Sequence, residues 1–138
     1  MISIHALSGI VTLSLLETIS EALPTPGDKH FTLDLRTKKL TIHKHSFWVA
    51  ADEWKSFQNN AEKLLKNLKG SATFRSMSPG GMILALDPSR NSRTLKLTIN
   101  TNSLGLGSSS FPKVAIHFED EIEAEWLTDL GNSLRAIA

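Results

Sequence analysis

The spacing of apolar residues changes several times along the chain, and each change predicts an element. Ile2 to Leu7 alternates as a short strand, with Ile2 and Ile4 on one face. Leu15, Leu16, Ile19 and Leu23 then recur on one stripe, predicting a helix over Thr12 to Leu23 that Pro24 ends. The β-branched residues Ile10, Val11 and Thr12 keep an extended reading of the same stretch open. Pro24 to Gly27 has the composition of a loop. Beyond it Phe31, Leu33 and Leu35 alternate with Thr32, Asp34 and Arg36, the period of a half-buried strand. Thr37-Lys38 turns the chain, and Leu40 and Ile42 alternate again, predicting a hairpin.

The period next lengthens to three and four. Trp54, Phe57, Ala61, Leu64, Leu65 and Leu68 form one stripe, with Lys55, Glu62, Lys63 and Lys66 on other faces. Asp52 and Glu53 in the first turn, and Lys66 and Lys69 in the last, suit the helix dipole. Gly70 is placed to supply a left-handed C-terminal residue. Strands follow at Ala72 to Met77 and Met82 to Asp87, around the turn sequence Ser-Pro-Gly-Gly. Others follow at Leu95, Leu97 and Ile99, and at Val114, Ile116 and Phe118, after a Gly/Ser-rich connection over Leu104 to Ser110. A closing helix places Ile122, Trp126, Leu130, Leu134 and Ile137 on one stripe, with Asp120 and Glu123 at capping-box spacing.

This pattern predicts an α+β fold in the order ββα-ββββα behind an ambiguous N-terminal segment. Short connections imply an antiparallel sheet of about six strands with two amphipathic helices packed on it. Glu53-Trp54 and Glu125-Trp126 each open a helix that follows a strand, a faint internal echo. At 138 residues the chain is expected to form one domain over 1–138. No apolar run reaches the ~20 residues of a spanning helix, and Ile10 to Leu16 lacks the flanks of a signal peptide. With no cysteine in the sequence, a cytoplasmic location is expected.

Candidate chemistry is sparse. The chain lacks a Gly-x-Ser-x-Gly elbow, a phosphate-cradling glycine loop and any thiolate ligand, so neither catalysis nor a cofactor is expected. His43 and His45, two apart on a strand, point the same way in a regular ladder, but without further ligands in a motif no metal site is expected. Lys29, Arg36, Lys38, Lys39 and Lys44 make the predicted hairpin basic, and Trp48 stands outside both apolar stripes. Those features suit a single-stranded nucleic-acid binder; a net charge of +1 and the absence of tyrosine weigh against one.

The sharpest local feature is acidic. Glu119 to Glu125 holds five acids in seven positions. On a helix Glu121 and Glu125 share a face and repel by about 0.2–0.5 kcal/mol, a cost that a cationic partner would offset. Around it, Phe47 to Ala51 leading into Glu53-Trp54-x-x-Phe57, the Leu64-Leu65 helix, Gly70-Ser-Ala72 and Phe118-Glu-Asp120 form a pattern. Over roughly residues 30–138 that pattern resembles bacterial immunity proteins of contact-dependent growth-inhibition and related polymorphic toxin systems. The resemblance implies one-to-one binding of a cognate toxin, typically a nuclease whose active site is occluded. The group is too diverse in sequence for any functional residue to be carried over. From the residues themselves, Glu119, Glu121 and Glu125 are expected as charged contacts and Trp48 as an aromatic anchor, with no membrane and no small-molecule substrate.

Overall fold

The computed structural model describes residues 1–20, 26–77, 81–91, 93–101 and 116–137. In it the first half of the chain forms a four-stranded antiparallel sheet in the order β1-β2-β3-β4. Its strands are β1 (Ile2–His5), β2 (Gly9–Thr18), β3 (Lys29–Thr37) and β4 (Thr41–Val49). Helix α1 (Ala51–Asn67) follows. A second antiparallel sheet repeats the plan with β5 (Ala72–Arg75), β6 (Met82–Pro88), β7 (Leu95–Thr101) and β8 (Ile116–Glu121). A 3-10 turn over Ala124–Trp126 leads into α2 (Leu127–Arg135). The class is α+β, as the pattern predicts, but the strands form two sheets rather than one. The chain is ββββα followed by ββββα, but Trp54 lies inside α1 whereas Trp126 ends the 3-10 turn before α2, so the two tryptophans do not occupy equivalent places.

Thr12 to Leu23 departs from the expected helix. Its described part is strand β2, with Val11 and Leu13 buried against the core and Thr12 and Ser14 on the opposite face. A register shift between Leu15 and Glu17 places two apolar residues in succession, which imitates helical spacing in the sequence. Helix α1 forms where predicted, yet it ends on Leu68, whose φ of 53° makes it the left-handed residue instead of Gly70. The Leu68 amide donates to the Leu64 carbonyl at 2.7 Å. Gly70 is also left-handed, two residues later.

Both sheets turn one face to a single core. Phe31, Leu33, Leu35, Val49, Phe74, Leu84, Leu86, Leu97 and Ile99 all reach full burial there. Each such side chain contributes about 1.5–3 kcal/mol on leaving water. Trp54 of α1 joins the two sheets, since its ring centroid lies 4.7 Å from that of Phe31 and 5.7 Å from that of Phe74. Phe57 closes the cluster edge-on against Phe74 at 5.0 Å.

Backbone pairs also connect the sheets at their edges. Leu7 donates to the Glu121 carbonyl at 3.0 Å and Glu123 to the His5 carbonyl at 2.8 Å, around a bridge between Ala6 and Ile122. Met77 donates to the Trp48 carbonyl at 2.8 Å in a second bridge. The expected turns at Ser78 to Gly80, the loop over Leu104 to Ser110 and the strand residue Val114 lie outside the described residues.

Candidate functional site

Alternation along β2, β3 and β4 sends a second set of side chains to the outer face of the first sheet. Thr12, Ser14, His30, Thr32, Asp34, Arg36, Ser46 and Trp48 lie there, all partly or fully exposed. Two features occupy this face. At one end the rings of His30 and Trp48, cross-strand partners, stack at 4.5 Å with planes 7° apart. His30 Nε2 and Ser46 Oγ share a hydrogen bond, and His30 Nδ1 lies 3.6 Å from a Glu17 carboxylate oxygen. The ring that Trp48 covers is thereby fixed in orientation.

At the other end is a groove of about 390 Å³. Thr12, Ser14 and Asp34 lie on it, with Met1, Ile10, Arg36, Thr41 and His43 around them. A kink in β4 shapes this end. Lys44 is left-handed at φ 52°, at a register shift opposite Leu33 and Leu35. Its amide donates to Asp34 Oδ1 at 3.1 Å, and His43 Nδ1 lies 3.1 Å from the same oxygen. Arg36, Lys38, Lys39 and Lys44 are all exposed around this end. From the Trp48 stack to Arg36 is six residues of β3, roughly 20 Å at ~3.3 Å per residue.

The kink overturns one expectation. His43 and His45 do not point the same way, because the extra residue at Lys44 reverses the alternation between them. His43 lines the outer groove, while His45 pairs with Leu33 and leans toward Phe47, ring centroids 6.2 Å apart. Burial on that side lowers the His45 pKa below its ordinary 6.5. Lys29, also expected to make the hairpin basic, is instead buried beside the core with its Nζ 3.2 Å from Thr18 Oγ1. Desolvation lowers its pKa.

The acidic segment is arranged differently from its helical reading. Glu119 and Glu121 belong to strand β8, and Glu125 to the 3-10 turn, so Glu121 and Glu125 share no helix face. Asp120 is no helix cap: its Oδ2 accepts from both the amide and the hydroxyl of Ser8 at 2.6 Å. Lys96 Nζ reaches Glu119 at 3.4 Å, and His117 Nε2 at 3.3 Å. Lys96 first, then the His117 and Lys96 hydrogen bonds, hold the Glu119 carboxyl below its usual range. Trp126 is not in the core either. It stacks on His5 at 3.7 Å, beside the Ala6–Ile122 bridge.

Trp48 thus stands partly exposed beside His30, a neighbour that no sequence motif indicated, and the groove likewise has no sequence motif. Among the described residues no group of three or more His, Asp or Glu is placed to hold a metal ion, and no helix is long and apolar enough to cross a membrane.

No family model matches the chain, and no curated protein matches it. Among solved structures, the fold is similar to that of the plant transcriptional regulator PBF-2, with a TM-score of 0.57 at 11% identity. The match covers 98% of this chain and 78% of the regulator. At that identity the likeness concerns the fold.

Proposed function

We propose that this chain binds single-stranded nucleic acid on the outer face of its first sheet and acts by binding rather than catalysis. The observation that carries the reading is the pairing, on one face, of an aromatic stack with a groove lined by Arg36, next to three exposed lysines. A single strand needs both: ring faces on which bases stack, and positive charge that follows the phosphates. His30 and Trp48 supply the first, Arg36, Lys38, Lys39 and Lys44 the second. The similar fold of a transcriptional regulator is in keeping with this reading.

The test is titration of labelled oligonucleotides by fluorescence anisotropy over a range of salt. Replacing Lys38, Lys39 and Lys44 by alanine is expected to flatten the plot of log K against log salt by about 2, at ~0.7 per phosphate contact. Trp48→Ala is expected to cost about 1–3 kcal/mol, the worth of one stacked base. No binding at about 50 mM salt, where such complexes are strongest, overturns the proposal.

A second reading, one-to-one binding and neutralisation of a toxin, has exposed Glu119 and Glu125 in its favour. It is the weaker one, since Lys96 and His117 already engage Glu119. A stable complex with the product of the adjoining upstream coding segment, lost on charge reversal at Glu119, Glu121 and Glu125, would favour it over the first.

A further inference from the structure

Asp34 is out of place on a surface that takes a polyanion. It is a carboxylate in a groove that Arg36 also lines, at the end of the sheet where Lys38, Lys39 and Lys44 are exposed. Part of its presence is structural, because Oδ1 takes the Lys44 amide and faces His43, and so fixes the kink in β4. That work uses one oxygen only. Among the described residues Oδ2 has no hydrogen-bond partner, and the side chain is 35% exposed. The neighbouring surface is that of a small-molecule site in miniature: the exposed apolar side chains of Met1 and Ile10 beside the hydroxyls of Thr12 and Ser14. Its volume, about 390 Å³, lies in the range of sites that hold compact ligands.

We infer that this groove receives one base of the bound strand and that Asp34 makes it selective for bases with an amino edge, against thymine and uracil. The inference rests on the reading of the face as a single-strand site. An ionised carboxylate only accepts hydrogen bonds. Cytosine offers it the N4 amino group, adenine the N6 amino group and guanine the N1 and N2 hydrogens. Thymine and uracil present the O4 carbonyl there, and their one ring N–H is flanked by two carbonyl oxygens. Each places lone pairs against a carboxylate that has lost part of its water, a repulsive pairing rather than a missing contact. Met1 and Ile10 give the base an apolar wall, while Arg36 at the rim is left for its phosphate.

The experiment compares binding of oligo-dC, oligo-dA and oligo-dU, each of about eight nucleotides, to the whole chain at low salt. Cytosine and uracil differ in an amino group against a carbonyl at C4, with the matching proton on N3, so that pair isolates the edge chemistry. Oligo-dU is expected to bind about tenfold more weakly than oligo-dC, the low end for one base-edge contact. In Asp34→Asn the ratio should fall toward one. A carboxamide offers a donor to O4 and still leaves an oxygen for the Lys44 amide, so the kink is retained. Equal affinity of the wild-type chain for dU and dC overturns the inference without touching the single-strand reading, and does so even if Asp34→Asn fails to fold. A dC preference that Asp34→Asn leaves unchanged also overturns it. If no oligonucleotide binds at all, the single-strand reading falls first and the selectivity with it.

Discussion

The amide of Ala51, the first residue of α1, donates to Asp28 Oδ1 at 2.9 Å from 23 residues along the chain. Ala50 occupies the N-cap position and has no side chain to serve it. Asp28, nearly buried before β3, acts in its place and places negative charge at the positive end of the helix. Asp28→Ala is expected to lower stability by about 1 kcal/mol, within the 0.5–2 of ordinary caps, whereas Asp28→Asn should retain most of it. Urea unfolding of the two variants checks this; equal losses would refute a capping role.

Gly9 opens β2 opposite Thr37 of β3. A Cβ there would meet the Arg36 carbonyl oxygen at 2.6 Å and Thr37 Cγ2 at 2.7 Å. The first of these is backbone and cannot swing aside. Gly9→Ala is therefore expected to cost about 1–3 kcal/mol, as overpacking does. Because the strand that must move carries Arg36, nucleic-acid affinity should fall along with the thermal midpoint.

Trp54 and Phe74 are neighbours in one cluster but should respond differently to truncation. Phe74→Ala opens a cavity in a fully buried site and is expected to cost about 3–5 kcal/mol. Trp54→Phe also loses volume, yet it removes an indole N–H that is buried with no hydrogen-bond partner. Relief of that group, about 1–3 kcal/mol, offsets much of the lost packing. Chemical denaturation should show Trp54→Phe much the milder of the two.

His45 gives the protein a predictable acid response. Its folded pKa lies below the ordinary 6.5, so below that pH the unfolded chain binds more protons. Stability is complete above 6.5 and declines as pH falls toward the lowered value. Glu119, depressed chiefly by Lys96, adds a loss of its own only below its ordinary 4.5. Between about pH 6.5 and 5, His45→Gln should show a shallower decline than the wild type in unfolding free energy.

How much of this was legible in the sequence depends on whether each signal is local. Phe31, Leu33 and Leu35 alternate without interruption, and β3 follows directly. Trp54, Phe57, Ala61 and Leu64 keep one helical stripe, and α1 follows as directly. β2 was obscured because its irregularity at Leu15 and Glu17 breaks the period of two at the point where a helix would show three and four. The start of α2 was obscured because acids suit a helix N-terminus and an exposed strand equally well. The strand is made by pairing with β7, from Thr101 opposite Ile116 to Lys96 opposite Glu121, and Ser8, remote in sequence, then binds Asp120. The groove had no sequence signal, since Thr12, Asp34 and His43 become neighbours only through pairing of three strands and the kink at Lys44.

The contact between Ser8 and Asp120 spans 112 residues, and it lies beside the pairing of β1 with the end of β8. An edge of the first sheet is thus completed by a segment that leaves the ribosome 112 residues later. During synthesis β1 to β4 can pair among themselves, but the segment around Leu7 waits with its backbone unmatched. The nascent chain should consequently stay protease-sensitive near Leu7 until β8 emerges. Folding should also be slow for a domain of this size, in keeping with its many distant pairings.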